Sequence, residues 1–154
     1  MNILIRTAIP TDVQTIAQFN SAIADETEHL HLEMERLLKG VSGMFEDPSR
    51  GFYLVAEIDG TIVGQLMITY EWSDWRNGVF WWIQSVYVKK EFRAKKIFSS
   101  LYHHIHSMAK EQPNICGIRL YVEKENELAH IIYEKLGMKK TDYDLLEVDF
   151  VLKR

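Results

Sequence analysis

The chain has one cysteine in 154 residues, Cys116, so no disulfide can form within it. Set in ICGIRLYV, Cys116 reads as a small buried strand residue, and no base is arranged to make it a nucleophile. No stretch approaches the roughly 20 consecutive apolar residues that a membrane span needs, so no membrane partner is expected. The opening MNILIR is too short an apolar run for a signal sequence, and its arginine follows the run. The expected compartment is the cytoplasm. Only three prolines and eight glycines are present, and no repeat, low-complexity tract or linker marks a boundary. One domain over 1–154 is therefore expected. A net charge of −4 argues against a general nucleic-acid binder. His103, His104 and His106 would point in different directions on a helix, with no carboxylate or cysteine at ligand spacing, so no metal site is expected.

What is present is ordinary globular material, 47% hydrophobic and 26% charged. NILIR reads as a short strand. Thr11 reads as the N-cap of a first helix, and a second helix is expected over 29–38, ended by Gly40 and Gly43. FYLVAEI and TIVGQLMITYEW flank Asp59-Gly60, a strong hairpin signal. Residues 79–88, VFWWIQSVYV, form a nearly continuous apolar run, as in a central strand buried on both faces. Ile97, Leu101, His104 or Ile105, and Met108 then keep a helical period up to Pro113-Asn114. GIRLYVE reads as a strand, and ENELAHIIYEKL as a helix stopped by Gly137 at its C′ position. MKKT and LLEVDFVL read as two closing strands. The order β-α-α-β-β-β-α-β-α-β-β is that of a mixed α/β domain.

The strand-to-helix junction at 84–101 carries five cations in eight residues: Lys89, Lys90, Arg93, Lys95 and Lys96. A helix start presents unpaired N–H groups and the positive end of a dipole, which suits a phosphorylated ligand. Strand, then Arg-x-x-Gly-x-Gly/Ala, then helix resembles the acyl-CoA pyrophosphate loop of the GCN5-related N-acetyltransferases. This chain reads Arg93-Ala94-Lys95-Lys96-Ile97-Phe98 and departs from the pattern at both glycine positions. Downstream, Asn126-x-x-Ala129-x-x-x-Tyr133-x-x-x-Gly137-Met138 resembles the family's second acyl-CoA motif. The order of elements and Gly64 in the IVG position agree with it. EWSDWRNGVFWWIQSVYV is similar to a bacterial sub-branch of the family.

The resemblance implies the acyl-CoA N-acyltransferase fold, a single-domain mixed sheet, splayed at its centre and flanked by helices. It also implies acetyl-CoA as cofactor. The backbone of Val86, Tyr87 and Val88 would pair with pantetheine, and Arg93 to Ser99 (Ala94, Lys95, Lys96, Ile97 and Phe98 between them) would hold the pyrophosphate. Asn126 would hydrogen-bond the pantetheine arm, Ala129 would leave room for it, and Tyr133 would act as acid on the departing thiolate. Family glycines let the loop backbone take torsions that a side chain resists. Two outcomes are open: Lys96 keeps helical torsions and adds a cation while Phe98 packs beneath, or the loop distorts and affinity falls. The first is expected.

The implied reaction is direct acetyl transfer to a primary amine, without a covalent enzyme intermediate. Glu71 and Glu28 are candidates for base or proton relay. Glu26, Glu28, Trp72, Asp74 and Trp75 are candidates for the acceptor site. With Asp25 beside them they would favour a small cationic amine. The alternatives are a CoA-binding regulatory module without catalysis, which the missing glycines favour, and a protein-lysine or N-terminal acetyltransferase. A homodimer is the expected assembly.

Overall fold

The computed structural model describes residues 1–152. They group into two compact units, the first Met1–Tyr121 and the second from Val122. The first unit holds a five-stranded sheet in the order β1-β2-β3-β4-β5: β1 Ile3–Thr7, β2 Gly51–Ile58, β3 Thr61–Ser73, β4 Gly78–Val88 and β5 Ile115–Leu120. Strands β1 to β4 run antiparallel to one another in turn, and β5 is parallel to β4. The helices are α1 Val13–Glu28, α2 Met34–Glu46, α3 Ile97–Lys110 and, in the second unit, α4 Glu127–Lys135. This is the mixed α/β architecture expected.

The β2–β3 hairpin forms where Asp59-Gly60 places it. Both residues have positive φ, 51° and 77°, the torsions of a type I′ turn. Tyr53 and Val55 of β2 join Ala8, Ile16, Ala17, Val41 and Met44 in one buried cluster under α1 and α2. Ile97, Leu101 and Ile105 give α3 a fully buried stripe, each side chain contributing about 1.5–3 kcal/mol by burial. Ile105, not His104, takes the buried position; all three histidines of α3 are exposed. Gly64 belongs to this packing. A Cβ there would lie 2.9 Å from Ile97 Cγ2 and 3.3 Å from the Tyr87 carbonyl.

Several expectations fail. Thr11 does not cap α1: Pro10–Asp12 forms a 3-10 turn, and Asp12 instead accepts the Ile9 N–H at 2.8 Å. The second helix begins at Met34, not at 29, because α1 runs on to Glu28 and ends at His29 in the left-handed region. It then continues through Gly40 and Gly43. MKKT and LLEVDFVL form no strands among the described residues, and Leu146, Val148 and Phe150 lie exposed. Gly137 does stop α4 as expected. Its φ is 92°, its N–H reaches Glu134 O at 3.0 Å, and Met138 N–H reaches Tyr133 O at 3.0 Å, the two bonds of a Schellman motif.

Arg6 fastens β1 to the turn after it. Its guanidinium donates to Asp12 at 2.8 and 3.0 Å and to Glu57 at 2.9 Å. The Arg6 hydrogen bond holds the Asp12 carboxyl below the usual carboxylate range, against the opposing effect of burial. A carboxyl with a depressed folded-state pKa stabilises the fold above its unfolded pKa of about 3.9. That contribution disappears as pH falls through the folded value. Asp12→Asn should therefore cost about 1–3 kcal/mol in urea unfolding at pH 7, with the difference shrinking below about pH 4.

Candidate active site

The site is built where β4 and β5 part. Their pairing runs from Val79↔Ile115 to Ile83↔Leu120, whereas β3 stays paired to β4 as far as Gly64↔Val88. Residues 84–88 are thus held on one side and open on the other. At the parting point the β3–β4 register shifts between Gln65 and Met67, and Ser85 has a φ of 50°. This is a β-bulge, one extra residue that bends the strand. Gln65 is fully buried, and its Nε2 donates to Ser85 O at 3.0 Å and to Asn20 Oδ1 at 2.9 Å. Asn20 in turn hydrogen-bonds Tyr53. Sequence reasoning missed Ser85, Gln65 and Asn20; a glutamine inside the apolar run IVGQLMI was the available signal.

Beyond Val88 the chain makes a 3-10 turn over Lys90–Phe92 and enters α3. Lys96 does not take the right-handed helical torsions expected of it. It stands at the N-cap with φ 63° and ψ 24°, and Ala94 is likewise left-handed at φ 61°. The backbone keeps a glycine-like torsion at the family's first glycine position even with a lysine there. The first α3 bond is Ser100 N–H to Lys96 O at 3.0 Å, so the N–H groups of Ile97, Phe98 and Ser99 precede the ladder. A lysine side chain has no acceptor and cannot cap them. Phe98 lies along the helix, its ring 6.4 Å from that of Tyr102. Lys90, Arg93, Lys95 and Lys96 are exposed. A helix start not capped by its own N-cap side chain, surrounding cations and a strand end not paired to β5 are what a phosphorylated, amide-bearing ligand requires, so these residues fit acetyl-CoA.

Arg93 has work within the fold. Its Nε donates to Val88 O at 2.8 Å, its Nη2 to Glu26 Oε1 at 2.9 Å, and its guanidinium lies 5.3 Å from the Tyr87 ring centre. Glu26 also faces Lys90 at 4.0 Å. Burial alone would raise the Glu26 carboxyl, but hydrogen bonds from Arg93 and Tyr87 and the two cations outweigh it, so it lies below its ordinary range. The Tyr87 hydroxyl is pushed up by burial and by Glu26. Val86, Tyr87 and Val88 are half-buried, and Phe19 of α1 packs on Tyr87 at 5.0 Å.

Glu71 lies across the sheet surface from this junction, opposite Phe80 in register. It accepts from Trp82 Nε1 at 2.8 Å and Arg119 Nη1 at 2.9 Å, while Arg119 lies 3.7 Å over the Phe80 ring. Those partners, Trp82 foremost, hold the Glu71 carboxyl below its ordinary range. Glu28 is exposed in the last turn of α1, and Asp74, Trp72 and Trp75 are exposed around the β3–β4 turn, Trp75 at 84%. In the second unit, Asn126 caps α4, its Oδ1 accepting Ala129 N–H at 3.2 Å. That assigns the Asn126 carbonyl to the helix and leaves its amide donors outside this bond. Burial pushes the Tyr133 hydroxyl up, so it stays protonated at neutral pH. Among the described residues no helix is long and apolar enough to cross a membrane, and no three His, Cys, Asp or Glu side chains are grouped to hold a metal ion.

The sequence matches the Acetyltransferase (GNAT) family over residues 15–138, so the chain belongs to that family. It is an acyltransferase that uses acetyl-CoA. Comparison with curated proteins finds no match. Among solved structures, a possible acetyltransferase from Clostridium difficile 630 is 48% identical, with a TM-score of 0.90 over 98% of this chain and 99% of that one. A predicted acetyltransferase with acetyl-CoA from Clostridium acetobutylicum shares the fold at 19% identity, TM-score 0.77, over 97% of each chain. So does a ribosomal-protein-alanine N-acetyltransferase from Brucella melitensis biovar Abortus 2308, at 17% identity, TM-score 0.77, over 97% of this chain and 99% of that one.

A left-handed torsion costs a side-chain-bearing residue about 1–2 kcal/mol. Lys96→Gly should therefore raise stability by about 1 kcal/mol in urea unfolding. If the Lys96 cation also faces the phosphates, the same variant should bind acetyl-CoA less tightly at low salt.

Proposed function

We propose that the chain transfers an acetyl group from acetyl-CoA directly to the primary amine of a small, cationic acceptor. The observation that carries this reading is the one-sided pairing of residues 84–88, leading into an α3 start whose N-cap, Lys96, makes no side-chain capping bond. Bound there, acetyl-CoA supplies the activated acetyl as a thioester. Val86, Tyr87 and Val88 offer backbone partners to its pantetheine arm. The first turn of α3, with Lys95 and Lys96, neutralises its phosphates. Asn126 and Ala129 act on the same arm, and Tyr133, protonated at neutral pH, donates to the departing sulfur.

The acceptor must lose a proton before it attacks. A lysine-like amine of pKa about 10.4 is only roughly one part in 2,500 neutral at pH 7, equivalent to about 4.6 kcal/mol. Glu71 is ionised throughout the neutral range and is a weak base, since its two donors lower its proton affinity. Its part is to attract the ammonium form and pass the proton on through water. Trp72, Trp75 and Asp74 extend the same surface, their exposed indole faces and carboxylate suiting a cation. Glu28 adds charge from α1, and Glu26 does so indirectly by orienting Arg93. A protein-lysine or N-terminal acceptor would use the same charges from an open groove.

Calorimetric titration with acetyl-CoA, followed by a panel of amines with a thiol-release readout, separates these readings. Heat of binding with CoA release on small cationic amines is expected. Binding with release on none of the small amines would favour a protein-lysine or N-terminal acceptor, and no heat at millimolar acetyl-CoA would overturn the reading. Tyr133→Phe should lower kcat by about 100-fold or more, with acetyl-CoA affinity nearly unchanged. Unchanged turnover would take the acid role from Tyr133.

A further inference from the structure

The carboxylates that close α1 stand at the wrong end of it. Asp25, Glu26 and Glu28 fall in its last turn, where no basic residue accompanies them. The C-terminal end of a helix is the negative end of its dipole, so these charges do not stabilise α1. Glu26 finds its partners outside the helix. Its Oε1 accepts from Arg93 Nη2 at 2.9 Å and faces Lys90 Nζ at 4.0 Å, and the Tyr87 hydroxyl donates to the same carboxylate. Phe19 packs on the Tyr87 ring at 5.0 Å, which keeps that donor in place.

Arg93 is the one arginine among the five cations between Lys89 and Lys96. Its guanidinium has five N–H groups. Nε is taken by the Val88 carbonyl at 2.8 Å and Nη2 by Glu26. The first bond ties the arginine to the end of β4, and the second neutralises its charge. A phosphate oxygen and a carboxylate oxygen make the same short, charge-assisted bond to a guanidinium. Glu26 and a phosphate therefore compete for one group. Acetyl-CoA and the CoA left after transfer carry the same phosphates. A contact to them holds substrate and product alike, so it adds nothing to the chemical step and delays the departure of product.

We propose that Glu26 limits the grip of this site on CoA by competing with its phosphates for the Arg93 guanidinium, so that the product leaves sooner than the local cations would permit. This role rests on the reading above, in which the phosphates meet the start of α3. Arg93 turns from Glu26 to a phosphate as acetyl-CoA arrives and returns as CoA leaves. Tyr87 and Lys90 keep Glu26 partnered in between, so the exchange leaves no carboxylate bare.

Glu26→Gln keeps the size of the side chain and a hydrogen-bond acceptor but removes the charge. Calorimetric titration of the full chain at low ionic strength, with acetyl-CoA and separately with CoA, should give both dissociation constants about two- to five-fold lower in this variant. The gain should shrink as salt is raised. Surface plasmon resonance on the immobilised chain should place it in slower CoA dissociation. In a chain carrying Arg93→Gln, the same Glu26→Gln change should alter neither constant, because the contested group is gone. Lys95→Gln with Lys96→Gln should weaken binding. Circular dichroism checks the fold of each variant, and Glu26→Ala replaces Glu26→Gln if the latter does not fold. Weaker binding on loss of the Glu26 charge overturns the proposal, since the carboxylate would then be an aid to Arg93. An equal gain with and without Arg93 overturns it too, as the mark of a general field, and so does a gain confined to association. Lysine variants that lower affinity while the Glu26 variants leave it unchanged overturn the role of Glu26 alone. If neither the lysines nor Glu26 affect binding, the placement of the phosphates falls with it.

Discussion

Everything at the candidate active site depends on β4 being held from one side only after Ile83. A backbone group in a sheet interior must find a partner, and the second partner for residues 84–88 is not β5. What keeps the strand from closing back is the bulge at Ser85, whose left-handed torsion bends it and whose carbonyl is fixed by the fully buried Gln65. An amide in a dry interior that serves two acceptors, Ser85 O and Asn20 Oδ1, is costly to disturb. The opening of the sheet is thus a rigid feature set by a polar network, one that α1 shares through Asn20.

The same helix reaches the other end of the opening through Glu26. Arg93 is divided among Val88 O, Glu26 and the Tyr87 face, so the residue that the family motif marks for phosphate also fixes the end of β4 to the end of α1. A phosphate arriving beside Arg93 meets a guanidinium already half neutralised by a carboxylate. On the proposed reading the lysines would carry more of the attraction than in a loop with two glycines, which would be a physical reason for Lys96 to stand where it does. The cost is a left-handed lysine at the N-cap, offset by a cation that needs no helix-capping role.

The Asp59-Gly60 hairpin, the α3 stripe and the Gly137 stop were legible because each rests on a local rule: positive φ at a two-residue turn, a 3.6-residue period, and a Schellman cap. The resemblance at Arg93–Phe98 and Asn126–Met138 carried the family and the cofactor. Where torsions broke from residue type, the sequence was silent. His29, Ser85, Ala94 and Lys96 all take positive φ without being glycine, so the start of the second helix was misplaced and the bulge went unseen. Gly40 and Gly43 misled in the opposite direction. Helix α2 passes through both, and at Gly43 the Arg50 guanidinium donates to the glycine carbonyl at 2.6 Å, close enough that a Cβ would lie 3.1 Å from it. Roles at Glu71 were also beyond reading, since its partners Trp82 and Arg119 come from two other strands.

Those partners bear on the chemistry more than the carboxylate itself does. A general base works best with a pKa near the working pH, and two strong donors move Glu71 away from that value. The same donors fix the carboxylate's position and keep it charged, which suits an electrostatic guide for an ammonium ion approaching along the surface of Trp72 and Trp75. Arg119, lying against Phe80 and bonded to Glu71, sits on β5 and so ties the Glu71 carboxylate on β3 to the last strand of the sheet order.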